Sequence, residues 1–304
     1  MGASLTENAL TPLTIRPAVI PGELDLFNSF PYTLNTQIAG DLAAGRRRPE
    51  WLWLALRGDR IVARAAWWSR PGDEHPLVMD ILDVAAGHLE DAVRLVETAL
   101  PTPAPEYTRF LPPDWRRSDA DTWLTVLERC GAKPFVERLR LHWEPGTPVA
   151  EPSGRLTFRP PRDAGELIDL MTLVLEGTLD AYSRQELTRM TAREAAAEQY
   201  REELARYPSP PEWWRVATLP GGEPVGFVIP GHNGYNPIIA YIGVVPAHRG
   251  RGHIDDLLAE GVRVLVAQDV PRIRAATDVG NVPMAAAFGR AGFHVFERQF
   301  DMTW

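Results

Sequence analysis

Short apolar runs alternate with turn-forming residues along the chain, and the spacing inside each run predicts its element. Apolar residues at every second position read as strand, and a spacing of three to four reads as helix. Residues 13–17 (Leu-Thr-Ile-Arg-Pro) alternate as a short strand, after a leader over 1–11 that reads as flexible. Residues 21–29 and 33–44 have helix-like spacing. Residues 51–56 and 61–68 flank Gly58-Asp59, which predicts a hairpin with its tryptophans on core and sheet faces. A strand is expected over 77–84, a helix over 88–100, a strand over 107–111, a helix over 121–129 ended by Gly131, and a strand over 135–143. Residues 144–154 hold prolines and glycines with almost no apolar content, as a domain linker does. Beyond it come a strand over 156–160, a helix over 164–176, and capping-box patterns starting at Ser183 and at Thr191. Residues 213–219 and 224–229 flank Gly221-Gly222 as a second hairpin. A strand over 238–245 leads to a helix whose buried face carries Ile254, Leu257, Leu258, Val262 and Leu265. A strand over 272–277, a helix over 282–290 and a strand over 293–302 end the chain.

Composition narrows the picture. A chain of 304 residues suggests about two domains, and 45% hydrophobic residues suffice for sizeable cores. A net charge of -8 argues against nucleic acid or an anionic membrane as partner. The one cysteine, Cys130, excludes an intrachain disulfide and a cysteine-based zinc site, and no metal is expected. No signal-peptide pattern and no apolar run of membrane-span length is present, so a soluble, cytoplasmic protein is expected.

Against this acidic background one basic stretch stands out: Val244-Val245-Pro246-Ala247-His248-Arg249-Gly250-Arg251-Gly252-His253-Ile254. It joins a buried strand to an amphipathic helix. The first N–H groups of a helix have no intrahelical partner, and the helix dipole is positive there. Such a turn suits an anion, most often phosphate, with glycines admitting it closely and Arg249 and Arg251 adding charge. The P-loop pattern is absent, and a dinucleotide pattern beginning at Gly250 fails at Asp255. A plain Gly/Arg surface turn would have a similar composition.

The two halves echo each other. Leu156-Thr157-Phe158-Arg159-Pro160 nearly repeats Leu13-Thr14-Ile15-Arg16-Pro17, and His253-Ile254-Asp255-Asp256 echoes His88-Leu89-Glu90-Asp91. The run 127–132 followed by Phe135 and Trp143 has its counterpart in 288–293, Phe296 and Trp304. Three echoes in one order indicate two copies of one fold. Domains are therefore expected at 1–144 and 155–304 with a linker over 145–154. Before its middle helix the first copy has only Asp83-Val84-Ala85-Ala86-Gly87, with no Arg-Gly loop.

The loop, with Arg249 and Gly252 at the first and fourth positions of [QR]-x-x-G-x-[GA], resembles the acyl-CoA loop of the GCN5-related N-acetyltransferase (GNAT) family; Ile254 departs from the last position. A second family pattern, N-x-x-[AM]-x-x-x-[YF]-x-[KR]-x-G-F, appears as Asn281 to Phe293, with Phe288 where many members have tyrosine. The resemblance covers the second half of the chain, and the first half resembles a degenerate copy. It implies an α/β (α+β) fold in which each of two tandem domains is a mixed, mostly antiparallel sheet flanked by helices, with two central strands splayed around acyl-CoA. Those strands should be 238–245 and 272–277.

The implied reaction is direct transfer of an acetyl group from acetyl-CoA to the amine of a small molecule. Val244 and Val245 would bind the cofactor through their backbone, and the loop from Arg249 through Gly250, Arg251, Gly252 and His253 to Ile254 would hold the pyrophosphate. Asn281 would meet the pantetheine arm, as well as suiting a helix N-cap. Phe288, at the tyrosine position, has no proton to give the leaving thiolate. Candidates for catalytic groups are Tyr241 on the central strand and Glu176 and Asp180 beside the acceptor cleft; sheet packing, capping and solvation are the competing roles. Asp255 and Asp256 should point away from the phosphates or meet the amine. A non-catalytic acyl-CoA-binding protein and a protein or peptide acetyltransferase are the alternatives.

Overall fold

The computed structural model describes residues 11–118 and 121–304, so the expected leader lies outside the described residues save for Thr11. The first half runs β1 (Leu13–Pro17), α1 (Leu24–Phe27), α2 (Ile38–Ala43), β2 (Leu52–Arg57), β3 (Arg60–Trp68), β4 (Val78–Val84), α3 (Leu89–Ala99), β5 (Glu106–Leu111), α4 (Thr122–Arg129) and β6 (Lys133–Trp143). The second runs β7 (Thr157–Arg159), α5 (Ala164–Leu175), α6 (Ala181–Glu186), α7 (Ala192–Glu202), β8 (Arg215–Thr218), β9 (Pro224–His232), β10 (Pro237–Val244), α8 (His253–Val266), β11 (Ile273–Asp278), α9 (Val282–Arg290) and β12 (His294–Thr303).

Two compact units result: residues up to Val136 with Gln299–Trp304, and Glu137–Arg298. Each is a mixed, mostly antiparallel sheet flanked by helices. In the first, β1 to β4 pair antiparallel in sequence order, β4 pairs with β5 in parallel, and the end of β12 lies beside β5. In the second, β7 to β10 pair antiparallel, β10 pairs with β11 in parallel, and β11 pairs antiparallel with β6. The division thus falls inside β6 and β12, not in the proline-rich stretch over 145–154. That stretch belongs to the second unit and is docked on it: Ala150 O accepts from Arg263 at 2.7 Å, and Val149 packs on the core that contains α8.

Apolar alternation explains the layers. In the first unit Trp67, Leu82, Leu95 and Leu127 pack on one face under α3 and α4, while Phe27, Ile38, Leu54 and Ile81 fill the other. In the second, Leu257, Val262, Phe288 and Trp143 pack on the face under α8 and α9, and Leu170, Val174, Phe227 and Ala196 pack on the face under α5 and α7. Central strand β9 is covered on both faces, hence its unbroken burial from Val225 to Gly231. The Gly58 hairpin forms, with φ +59° at the glycine. Thr191 makes both bonds of its capping box, but Ser183 is not a cap. Asp180 caps α6 instead, its carboxylate accepting from Ser183 N–H at 2.8 Å. Cys130 is half-buried against α3, and burial raises its thiol pKa to about 11.

Helix α5 approaches β10 at a glycine. A Cβ on Gly243 would lie 2.4 Å from Val174 Cγ1, so no side chain fits between them. Gly243→Val should therefore cost about 1–3 kcal/mol by overpacking, read as a lower denaturation midpoint with an unchanged fold by circular dichroism.

Candidate functional site

The site begins with one extra residue. Along β9, Ile239 pairs with Pro230 and Tyr241 with Ile229, so Ala240 is a bulge without a partner. A bulge bends its strand and increases its twist. On the opposite edge of β10, among the described residues, pairing with β11 consists of Ile238↔Arg274 alone, and beyond it the strands part. Val245 N–H donates to Val225 O at 2.9 Å. In an antiparallel pair the bonded residues alternate, so Gly243 and Val245 address β9 while Ile242 and Val244 turn their peptide groups to the gap. Of the two expected backbone contacts, Val244 is on the open edge, whereas the N–H of Val245 is already used.

The gap leads to the Gly/Arg loop. Gly250 and Gly252 have φ +75° and +76°, a left-handed conformation that glycine adopts without strain. Gly252 is the N-cap of α8. Among the described residues, the N–H groups from Gly250 to Ile254 meet no acceptor. Arg155, which the sequence did not single out, straps the loop from behind. Its guanidinium donates to Arg251 O at 3.1 Å, to Gly252 O at 3.4 Å and to the Asp256 carboxylate at 2.6 Å. In a trans peptide the N–H points opposite to the C=O, so the Gly252 and His253 N–H groups face away from Arg155. Asp255 turns to Arg290 at 2.7 Å. Both acidic side chains thus point to arginines. The His253 ring is buried beneath the loop beside His248, and burial, then the Arg155 charge, lowers its pKa.

Arg249, expected to assist in holding the pyrophosphate, is engaged with backbone carbonyls in this structure. Its side chain does not join the row of loop donors but caps the end of α5, donating to Val174 O at 2.8 Å, Glu176 O at 2.6 Å and Val244 O at 3.0 Å. The last carbonyls of a helix lack partners and carry the negative end of its dipole, so a cation is favoured there. At the other side of the gap, the buried Asp278 accepts from Ala181 N–H at 2.7 Å and lies 3.1 Å from Arg138 Nε. Burial raises the Asp278 pKa. The segment 176–181 is therefore tied to the end of β10 by Arg249 and to the end of β11 by Asp278.

Of the catalytic candidates, Glu176 is exposed and engaged through its carbonyl, and Asp180 serves as a cap. Tyr241 meets Phe227 edge-on, with ring centroids 5.0 Å apart, on the face under α5 and α7. Burial, then the nearby Asp180 and Glu186 carboxylates, raises its pKa, so the hydroxyl stays protonated at neutral pH. Asn281 caps α9, its Oδ1 accepting from Met284 N–H at 3.4 Å. Phe288 is 2% exposed and packs edge-on to Phe293 in the core, which leaves it no surface to offer a ligand.

Residues 178–293 match the model of the acetyltransferase (GNAT) family. No curated protein matches the chain in sequence. Among solved structures, a GCN5-related N-acetyltransferase from Sphaerobacter thermophilus superposes with a TM-score of 0.57 at 17% identity over 95% of this chain and 94% of its own. A tandem GNAT protein from the clavulanic acid biosynthesis pathway gives 0.51 at 17% identity over 96% and 98%. A glucosamine N-acetyltransferase region of a fungal multi-domain β-N-acetylglucosaminidase gives 0.57 at 13% identity over 96% of this chain and 38% of that one. At these identities the likeness is one of fold, and it spans both units. The family match covers residues 178–293, less than half of the chain, and lies wholly within the second unit.

Arg249→Met keeps the stem and removes the guanidinium, leaving the end of α5 without its donor. Stability should fall by about 1–2 kcal/mol, seen as a lower melting temperature. An unchanged melting temperature would show that solvent satisfies those carbonyls equally well.

Proposed function

We propose that the second unit is an N-acetyltransferase that moves the acetyl group of acetyl-CoA to the amine of a small molecule within a ternary complex. One observation carries the reading: a strand edge freed by the Ala240 bulge leads directly to a row of unpaired N–H groups at the start of α8. The loop fits a pyrophosphate, with donors from Gly250 to Ile254, Arg251 as the adjoining cation and Arg155 holding the carbonyls away. The pantetheine arm would lie along the Ile242 and Val244 edge, as an added strand does. Asn281 fits this scheme as the cap that starts α9.

In the reaction the neutral amine attacks the thioester carbon, the C–S bond breaks, and the amine loses a proton while the thiolate gains one. A backbone N–H of the open edge would polarise the carbonyl. Phe288 supplies no proton, so the thiolate would take one from Tyr241 on the central strand or from water. Asp278, missed in the sequence, has a carboxyl biased toward protonation and is a candidate to take the amine's proton.

The first unit is proposed as a copy without a cofactor. There β4 and β5 pair at Val78↔Glu106 and Met79↔Tyr107, and just beyond, Arg109 donates to Leu82 O at 2.9 Å and to Asp83 at 2.8 Å. A side chain of the unit thus bridges the opening, and the turn Ala85-Ala86-Gly87 is too short for a phosphate loop.

Mass spectrometry of reactions with an amine panel tests the activity, and acetyl-CoA bound without transfer to any amine would favour a binding protein. Arg251→Glu with Gly252→Asp adds negative charge to the loop, and aspartate tolerates the left-handed conformation there. Calorimetry should show acetyl-CoA affinity reduced by about 100-fold or more with the fold retained. Saturation should reach one CoA per chain, and two would refute the proposal for the first unit.

A further inference from the structure

The face of the second sheet opposite α8 and α9 carries, on β11, β6 and β12, a cluster of which the proposed transfer has used Asp278 alone. Leu141 and Trp143 of β6 and Ile273 and Ala275 of β11 point into the α8 core, so the alternate residues emerge on the other face. Cross-strand pairs there are Arg274↔His142, Ala276↔Arg140 and Asp278↔Arg138. Ala276 is exposed although its strand is central, so among the described residues no side chain or helix covers the sheet at that point.

Arg274 is the notable member. Its guanidinium carbon lies 3.6 Å from the centroid of the Phe296 ring, and its buried Nη1 has no hydrogen-bond partner among the described residues. A buried guanidinium N–H without an acceptor is costly. Nearby carboxylates are committed or remote: Glu297 pairs with Arg140, and Glu144 is mostly exposed beside His142, 3.2 Å from its Nε2. The other neighbours are Arg272, whose Nε donates to Asn236 at 2.8 Å, and His294, 5.1 Å from His142 between ring centroids. Burial, then the charges of Arg272 and Arg140, lowers the Arg274 pKa to about 10, so the local field is short of negative charge.

Its position gives this shortage a meaning. Arg274 pairs with Ile238 at the vertex of the splay, two residues or about 7 Å along the strand from the Ala240 bulge. Resting on the acetyltransferase reading above, we infer that Arg274 binds an oxyanion of the acceptor, a carboxylate or phosphate, so that the substrate is a small amine carrying such a group a few bonds from its nitrogen. A planar fork stacked on an aromatic ring is pre-organised for bidentate recognition of either anion.

The test uses amines in matched pairs, an amino acid against its amide and an amino-sugar phosphate against the free amino sugar. In the wild-type protein the anionic member of at least one pair should have kcat/KM about 10- to 100-fold above its neutral partner. Which pair responds distinguishes carboxylate from phosphate. Arg274→Gln should abolish that preference through KM, Arg274→Lys should retain part of it, and both should bind acetyl-CoA as the wild type does. Equal use of both members, a preference for the neutral ones, or a preference that survives Arg274→Gln would overturn the inference. Should no amine be acetylated, the transfer reading fails by itself, and titration of the CoA-loaded protein with the same pairs still decides. Binding of anionic members that is lost in Arg274→Gln supports the subsite, and its absence refutes it.

Discussion

The second unit depends on a single extra residue in a central strand. Ala240 has no partner on β9, and past it β10 bends out of reach of β11. A parallel pair that held its register would leave no free N–H or C=O groups between its strands. The bulge trades several ladder bonds for a row of unpaired backbone groups in an otherwise buried sheet. Such groups are costly unless something fills them, and that makes the gap a place for a ligand rather than a packing fault. Gly243, which admits α5 to within contact of β10, keeps the distorted strand clamped from one face.

Around this opening, long arginine side chains set the loops. Arg155 reaches the Gly/Arg loop across 97 residues to Gly252, and Arg249 reaches Glu176 across 73. Arg249 binds carbonyl oxygens at the end of α5, where they have no intrahelical donors, and Arg155 binds those of Arg251 and Gly252 at the start of α8. Asp278 completes the set with one N–H of α6. These ties align the edges of the gap without placing a rigid element in it, so its geometry is fixed while its interior stays open.

Much of the architecture was legible because it is written in local periods. The hairpin at Gly58, helix α8 with its buried Leu257, Leu258 and Val262, and the Asn281 cap each follow from spacing within a dozen residues. What failed was whatever depends on distance in sequence. Ser183 had the right local pattern for a cap, but Asp180 was better placed once Asp278 fixed the start of α6. Arg249 sits in the motif yet serves α5, because composition reports a charge and not its direction. Arg155 stood at the end of a proline-rich stretch that read as spacer. Arg274 gave no signal at all, since its meaning lies in the missing acceptor and in Phe296, which arrives from the last strand.

The membership of β6 has a consequence for how this chain can change over generations. By sequence β6 ends the first copy, yet from Glu137 onward it belongs to the second unit, where it lines β11 and carries Arg138, Arg140 and His142. The tail of β12 does the reverse for the first unit. Neither copy can then be deleted, or handed alone to another gene, without stripping a strand from its sibling. Selection for the second unit's floor therefore retains the first half of the chain as well.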